Sequence, residues 1–180
     1  MIRVWTRIGL CLFPLLLLFS PAGAQRRRDP LTPVEIDQLR DTAQDADQRL
    51  KLYVTFARAR LDLLEKVRSN PKVTDRGQET RNRLQDFLDI YDELNDNIDT
   101  FVDRKADVRK VLKTIIEADT EFQSKLRALK DAANSDKDEV KKYEFLLTNT
   151  LETVDASVAD HRQLLVEQEE AAKRKKKEKS

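Results

Sequence analysis

The chain is 180 residues long, with 34 basic and 33 acidic side chains, 37% charged residues, 6% aromatics, one Cys and one His. That length holds one domain with a core and excludes two comfortable ones; a single Cys excludes a disulfide framework, and a zinc site would have to rely on carboxylates. The near-neutral total hides an uneven distribution, because residues 29–172 carry 23 basic and 32 acidic side chains, a net −9, between basic ends.

The first element is an export segment. Arg3 and Arg7 precede an apolar run over 8–19, followed by Pro21 and Ala22-Gly23-Ala24, the layout of a signal peptide cut after Ala24. A spanning helix needs about 20 apolar residues, and this run is shorter and interrupted by Pro14. Arg26, Arg27 and Arg28 stand just beyond it and oppose translocation, so an uncleaved N-terminal membrane anchor is the alternative. Cleavage removes Cys11 and Trp5, leaving an exported, periplasmic or secreted chain without a thiol. Residues 25–31 are then a flexible basic arm, and the fold occupies 32–172.

Thr32-Pro33-Val34-Glu35 predicts a helix start: Thr caps, Pro suits the first helical position, and Glu three residues after Thr closes a capping box. From there Ile36, Leu39, Ala43, Ala46, Leu50, Tyr53, Ala57, Leu64 and Val67 recur at spacings of three and four, with Arg60 the charged position in the seam. The helix is expected over about 33–69, ending at Asn70-Pro71. Leu52, Phe56 and Leu63 form a second apolar line, which calls for a bundle of at least three helices rather than a two-stranded coil.

A second seam runs through Leu84, Phe87, Tyr91, Leu94, Ile98, Phe101, Val108, Leu112, Ile115, Phe122, Leu126, Leu129 and Ala133, interrupted by Lys105 and Asp119. Its register favours one helix over 80–133, with a kink or break at Asn95-Asp96-Asn97 or Asp119-Thr120 as the alternative. Ser135 and Asp136 are candidate caps for a third helix over 137–172, whose apolar positions include Val140, Tyr143, Leu147, Leu151, Val154, Val158, His161 and Leu165. Residues 173–180 read as a basic, disordered tail.

The expected fold is therefore all-α: an elongated antiparallel bundle or coiled coil of three long helices without β-strands. The longer middle helix should leave part of its stripe uncovered, which predicts self-association or a protein partner there.

Two charge features are candidates for binding. Asp86, Asp89, Asp92, Glu93, Asp96, Asp99 and Asp103 follow one another with no Lys or Arg between Arg83 and Arg104, and helical spacing sets them opposite the apolar seam. This acidic ribbon suits a solvated face or a basic partner; its carboxylates splay from a straight helix instead of converging on a cation. The tail supplies Lys173, Arg174, Lys175, Lys176, Lys177 and Lys179, which suit an anionic envelope polymer, a lipid surface or the acidic ribbon. No aromatic is interleaved with them, so base stacking has no platform and nucleic acid is disfavoured.

His161 is expected as a packed core residue with one hydrogen bond, and Arg60, Lys105 and Asp119 as polar insertions that set register. If Pro71 turns the first helix back antiparallel, Arg60 falls near Asp86 or Asp89. No Ser-x-x-Lys, Gly-x-Ser-x-Gly or phosphate-cradling Gly loop occurs, so neither an enzyme, a cofactor nor a small-molecule substrate is expected.

The opening LTPVEIDQLR resembles the Leu-Thr-x-x-Gln start of the small periplasmic helical chaperones of the Spy and CpxP type, with Leu31 and Thr32 matching and Glu35 where Gln would stand. The resemblance covers this opening alone and implies binding of unfolded clients. Taken together, these readings predict an exported, non-enzymatic helical scaffold or adaptor that binds protein through its stripes and acidic ribbon. The alternatives are a polyanion or membrane-surface binder acting through the tail, and a chaperone-like holdase.

Overall fold

In the computed structural model, which describes residues 29–133 and 137–178, the chain turns helical at Pro33 under the expected capping box. Thr32 Oγ1 accepts from the Glu35 amide at 3.3 Å, and the Thr32 amide donates to Glu35 Oε2 at 2.7 Å. Six helices follow among the described residues: α1 Pro33–Asp41, α2 Ala46–Ser69, α3 Arg76–Asp103, α4 Arg109–Ala132, α5 Lys137–Val140 and α6 Glu144–Glu178. Among the described residues there is no strand. The expected signal segment, Arg26 to Arg28, the caps Ser135 and Asp136, and Lys179 lie outside the described residues.

The chain is all-helical, but each of the three expected rods is divided. The first breaks at 42–45, where Asp45 caps α2 by accepting from the Gln48 amide at 2.9 Å, and Ala43 is exposed instead of lying in the seam. The middle one breaks at 104–108, at neither of the two expected places. There the Lys105 amide donates to Val102 O at 2.8 Å and the Ala106 amide to Phe101 O at 3.0 Å. Lys105 adopts a left-handed φ of 60°. This is a Schellman ending with Lys in the position glycine usually takes. The third rod begins as the single turn α5 and resumes at Glu144.

Four long helices form the bundle. The α2 and α3 helices make one antiparallel hairpin, with Arg49 Nε donating to Asn97 Oδ1 at 2.7 Å. The α4 and α6 helices make a second. The hairpins stack with α2 parallel to α4, through Arg58–Glu121 at 2.9 Å and Lys125–Asp62 at 2.8 Å, and with α3 parallel to α6, through Asn95 and Ser157. The diagonal pair α3 and α4 meets through large side chains at the centre, where Phe122 packs edge-on against Phe87 at 5.3 Å and Tyr91 at 6.1 Å. All twelve apolar residues of the second seam from Leu84 to Leu129 are buried by this fold-back. The uncovered stretch expected of a long middle helix is therefore absent: the break at 104–108 returns α4 along the bundle.

The α1 helix folds back over α2 and buries Leu39. Arg60 is buried beneath it and is held by Glu35, through Nη1 to Oε1 at 2.9 Å, and by Pro30 O, through Nε at 3.1 Å and Nη2 at 2.7 Å. Arg60 thus pairs with Glu35 rather than with Asp86 or Asp89. The same bonds anchor Pro30, and Leu31 packs against the core, so 29–31 is a fixed strap and not a flexible arm. Burial raises the Glu35 carboxyl's pKa, but Arg60 and the Thr32 amide outweigh it and hold the group below the ordinary glutamate value.

At the far end Glu139 of α5 is gripped by Arg68 of α2 and Arg76 of α3, the latter at 2.9 Å from Nε to Oε2. Gly77 makes this approach feasible: a Cβ there would lie 2.9 Å from Glu139 O.

Candidate functional site

The acidic ribbon is shorter than its sequence. Asp86 stands three helical turns before Asn97, on the line of α3 that meets α2, and it is buried with Arg83 Nη1 at 3.3 Å. Asp89 is half-buried and accepts from Gln85 Nε2 at 2.8 Å. Asp92, Glu93, Asp96, Asp99 and Asp103 remain as the exposed face. Among the described residues, Glu93, Asp96, Asp99 and Asp103 have no basic side chain in ion-pair range.

The basic tail is helical as far as Glu178, so Lys173, Arg174, Lys175, Lys176 and Lys177 sit on the last turns of α6 and not on a disordered segment. The cause lies one turn earlier. The N-cap of α4, Val108, has no side chain that can cap; Asp107 Oδ1 accepts from the Arg109 amide at 3.2 Å, the Val108 amide donates to Gln168 Oε1 of α6 at 3.2 Å, and Gln168 Nε2 donates to Ala106 O at 3.4 Å. This contact keeps α6 against the 104–108 link, and Lys105, Asp107, Arg109, Ala171, Ala172 and Lys175 line one shallow hollow there. Asp107 is drawn down to about 2, by its bond to Arg109 above all and by the field of Lys175 among the lesser causes. Among the described residues no ion pair joins the tail to Glu93, Asp96, Asp99 or Asp103; Arg174 pairs with Glu170 of its own helix at 3.6 Å.

A third constellation is a buried polar network at the centre of the bundle. Asp119 of α4, fully buried, accepts from Tyr91 Oη at 2.8 Å through Oδ1 and faces His161 Nδ1 at 2.8 Å through Oδ2. His161 Nε2 lies 3.2 Å from Asn95 Oδ1, and Asn95 Nδ2 donates to Ser157 Oγ at 3.0 Å. Both imidazole nitrogens have an oxygen partner, so neither side of the ring is left unsatisfied in the core. Burial, then the Asp119 charge, pushes the Tyr91 hydroxyl far above the ordinary tyrosine range.

His161 therefore makes two side-chain bonds rather than one, and its partner is the Asp119 that interrupts the second seam. Each residue stands out in the sequence separately. Their pairing was available from register, because an antiparallel hairpin turning near 140 places 119 opposite 161. Above His161 a cleft of about 230 Å³ opens between α3 and α6, lined by Asn95, Ile98, Asp99, Ser157, Asp160, His161 and Leu164.

No known protein family matches the chain, and comparisons with curated proteins and with solved structures find no significant match. The likeness of the opening to the Spy and CpxP chaperones rests on Leu31 and Thr32, and Thr32 has a local task as the cap of α1. No helix among the described residues is long and apolar enough to cross a membrane.

Proposed function

We propose that the protein is an exported, non-enzymatic helical adaptor that receives a basic protein partner on the acidic face of α3. The observation that carries this reading is the row Glu93, Asp96, Asp99 and Asp103: carboxylates on successive turns, with no cation among the described residues in ion-pair range. Carboxylates that a fold needs for itself are paired, as Glu35 and Glu139 are here. Those on α3 face outward on a rigid helix, an arrangement that steers a cationic partner and fixes its register. The apolar seam from Leu84 to Leu129, used up inside the bundle, is withdrawn from the binding surface.

The buried Asp119–His161 pair supports a structural rather than a catalytic role. Nε2 of His161 is turned to Asn95, and Ser157 Oγ is met by Asn95 instead of by the imidazole. A hydroxyl nucleophile needs a base within about 3 Å.

In-cell crosslinking with partner identification tests the reading, using the parent and an Asp96→Lys, Asp99→Lys, Asp103→Lys variant. The parent should yield a basic protein in a salt-sensitive complex, and the variant should lose it. An unchanged crosslinking pattern in the variant would refute the acidic-face reading. Fractionation and N-terminal sequencing of the same material should give an extracytoplasmic chain beginning at Gln25.

A further inference from the structure

We infer that the pole of the bundle built from the α3–α4 link and the last turns of α6 docks on a fluid anionic bilayer. The sequence singles out the tail alone; the fold adds Arg104 and Lys105. Gln168 holds α6 against the link, and Lys175 shares a hollow with Lys105 and Arg109. The acids of this region are largely taken: Asp107 by Arg109 at 2.5 Å, Glu169 by Lys113 at 3.4 Å, Glu170 by Arg174 at 3.6 Å, and Asp47 by Lys110 at 4.0 Å. Arg104, Lys105, Lys173, Lys175, Lys176 and Lys177 are left exposed without an ion-pair partner among the described residues, against Asp103 and Glu178. The left-handed turn at Lys105 points the chain out of the seam at the very end of the bundle.

The geometry decides the kind of anion. Five consecutive cationic positions on a helix, at 100° each, surround the rod and do not line one side of it. A linear polyanion needs an extended groove to track, and nucleic acid in addition wants aromatic platforms; the hollow at this pole is short and shallow, and no aromatic lines it. A bilayer meets it differently, because separate headgroups diffuse to each cation, and every Lys or Arg near an anionic surface contributes about fivefold to binding. Attachment through these exposed cations is electrostatic and is reversed by salt. The inference does not rest on the acidic face of α3: Asp103 adjoins both surfaces, but the variants that test the pole leave it and every other carboxylate of that face unchanged.

Cosedimentation of the full chain with vesicles of phosphatidylcholine, alone or mixed with phosphatidylglycerol, tests it. The quantity read is the ratio of anionic to neutral binding, because the apolar run over 8–19 would carry the chain to either vesicle. Replacing Lys175, Lys176 and Lys177 by Gln should lower that ratio by about a hundredfold, and Arg104→Gln with Lys105→Gln by about twenty-five-fold. All these side chains are exposed, and matching thermal melts will show that the variants fold. A ratio near one for the parent would overturn the inference, as would a link variant that binds like the parent. Capture by polyphosphate with no preference for anionic vesicles would assign the pole to a polymer instead.

Discussion

Replacing Asp119 by Ala removes the carboxylate that serves two buried partners at once, Tyr91 Oη–H and His161 Nδ1. Asp119 is fully buried and His161 is 4% exposed, so water is not at hand to replace the lost acceptor. An orphaned buried hydrogen-bonding group costs about 1–3 kcal/mol, and Asp119→Ala leaves two of them. We expect a loss of about 3–5 kcal/mol, a large share of the roughly 5–15 kcal/mol that stabilises a domain. With a urea dependence of about 2 kcal/mol per molar, the unfolding midpoint should fall by about 2 M. A cycle with Tyr91→Phe separates the two debts. Tyr91→Phe alone should cost about 1 kcal/mol, and the double variant should cost less than the sum of the singles by about 1–2 kcal/mol, because its hydroxyl is no longer stranded. Equilibrium urea unfolding followed by circular dichroism measures all four chains. Strict additivity, or an Asp119→Ala loss below about 1 kcal/mol, would refute the network as a stabilising element.

Gly77→Ala should destabilise by about 1–3 kcal/mol despite the better helix former, because the new Cβ would stand 2.9 Å from Glu139 O on a segment gripped by two arginines; thermal unfolding will show it as a lowered midpoint, and a raised one would contradict the close approach. Lys105→Gly should stabilise by about 1 kcal/mol, since it relieves a left-handed φ at a helix ending that already suits glycine; a lowered urea midpoint would mean that the lysine side chain contributes to the fold. Glu139 has its carboxyl lowered by the bond to Arg76 first, against burial, with Arg68 adding to it. Its folded value lies below the ordinary 4.5, so its contribution is full above that pH and is lost as pH falls through the lowered value. Glu139→Gln should accordingly be less stable than the parent at neutral pH and converge with it in acid; a gap that stays constant with pH would place the effect elsewhere.

The residues of the core were legible, as were the start at Pro33 and the end at Ser69; the internal breaks were not. Periodicity of three and four identifies Leu84, Phe87, Tyr91, Leu94, Ile98 and Phe101 as inward-facing, and all are buried. The same periodicity runs unbroken through 104–108 and 42–45, where the chain turns without glycine or proline to mark it. The only local signs are Asp45 as a cap and a lysine in an apolar seam. The tail shows the converse limit. Composition alone reads the lysine run as disorder, whereas Gln168, one polar residue a turn before Ala171 and Ala172, ties α6 to a link whose existence the sequence did not reveal. Of the acidic ribbon, the exposed part was legible from spacing. The burial of Asp86 depended on which side α2 would take, which no single-helix pattern contains.

The four polar residues set in apolar seams show why the chain breaks where it does. Arg60 stays in its helix because α1 brings Glu35 and Pro30 O to it. Asp119 and His161 stay because the second hairpin sets them face to face at 2.8 Å, with Tyr91 and Asn95 taking up their remaining capacity. Lys105 has no acid in ion-pair range among the described residues. Burying an unpaired ammonium costs several kcal/mol even after relaxation, roughly 3–5 kcal/mol judged from broken pairs, whereas one residue in the left-handed region costs about 1–2 kcal/mol. The cheaper course is to end the helix and turn the lysine out to water. That ending sends α4 back along the bundle and brings Asp119 to His161. On this reasoning Lys105→Leu, which removes the reason to leave the seam without supplying a glycine, should extend α3 or loosen the 104–108 turn. Hydrogen exchange of the Lys105 and Ala106 amides reports on that turn, and protection equal to the parent's would show that the link holds the bend by itself.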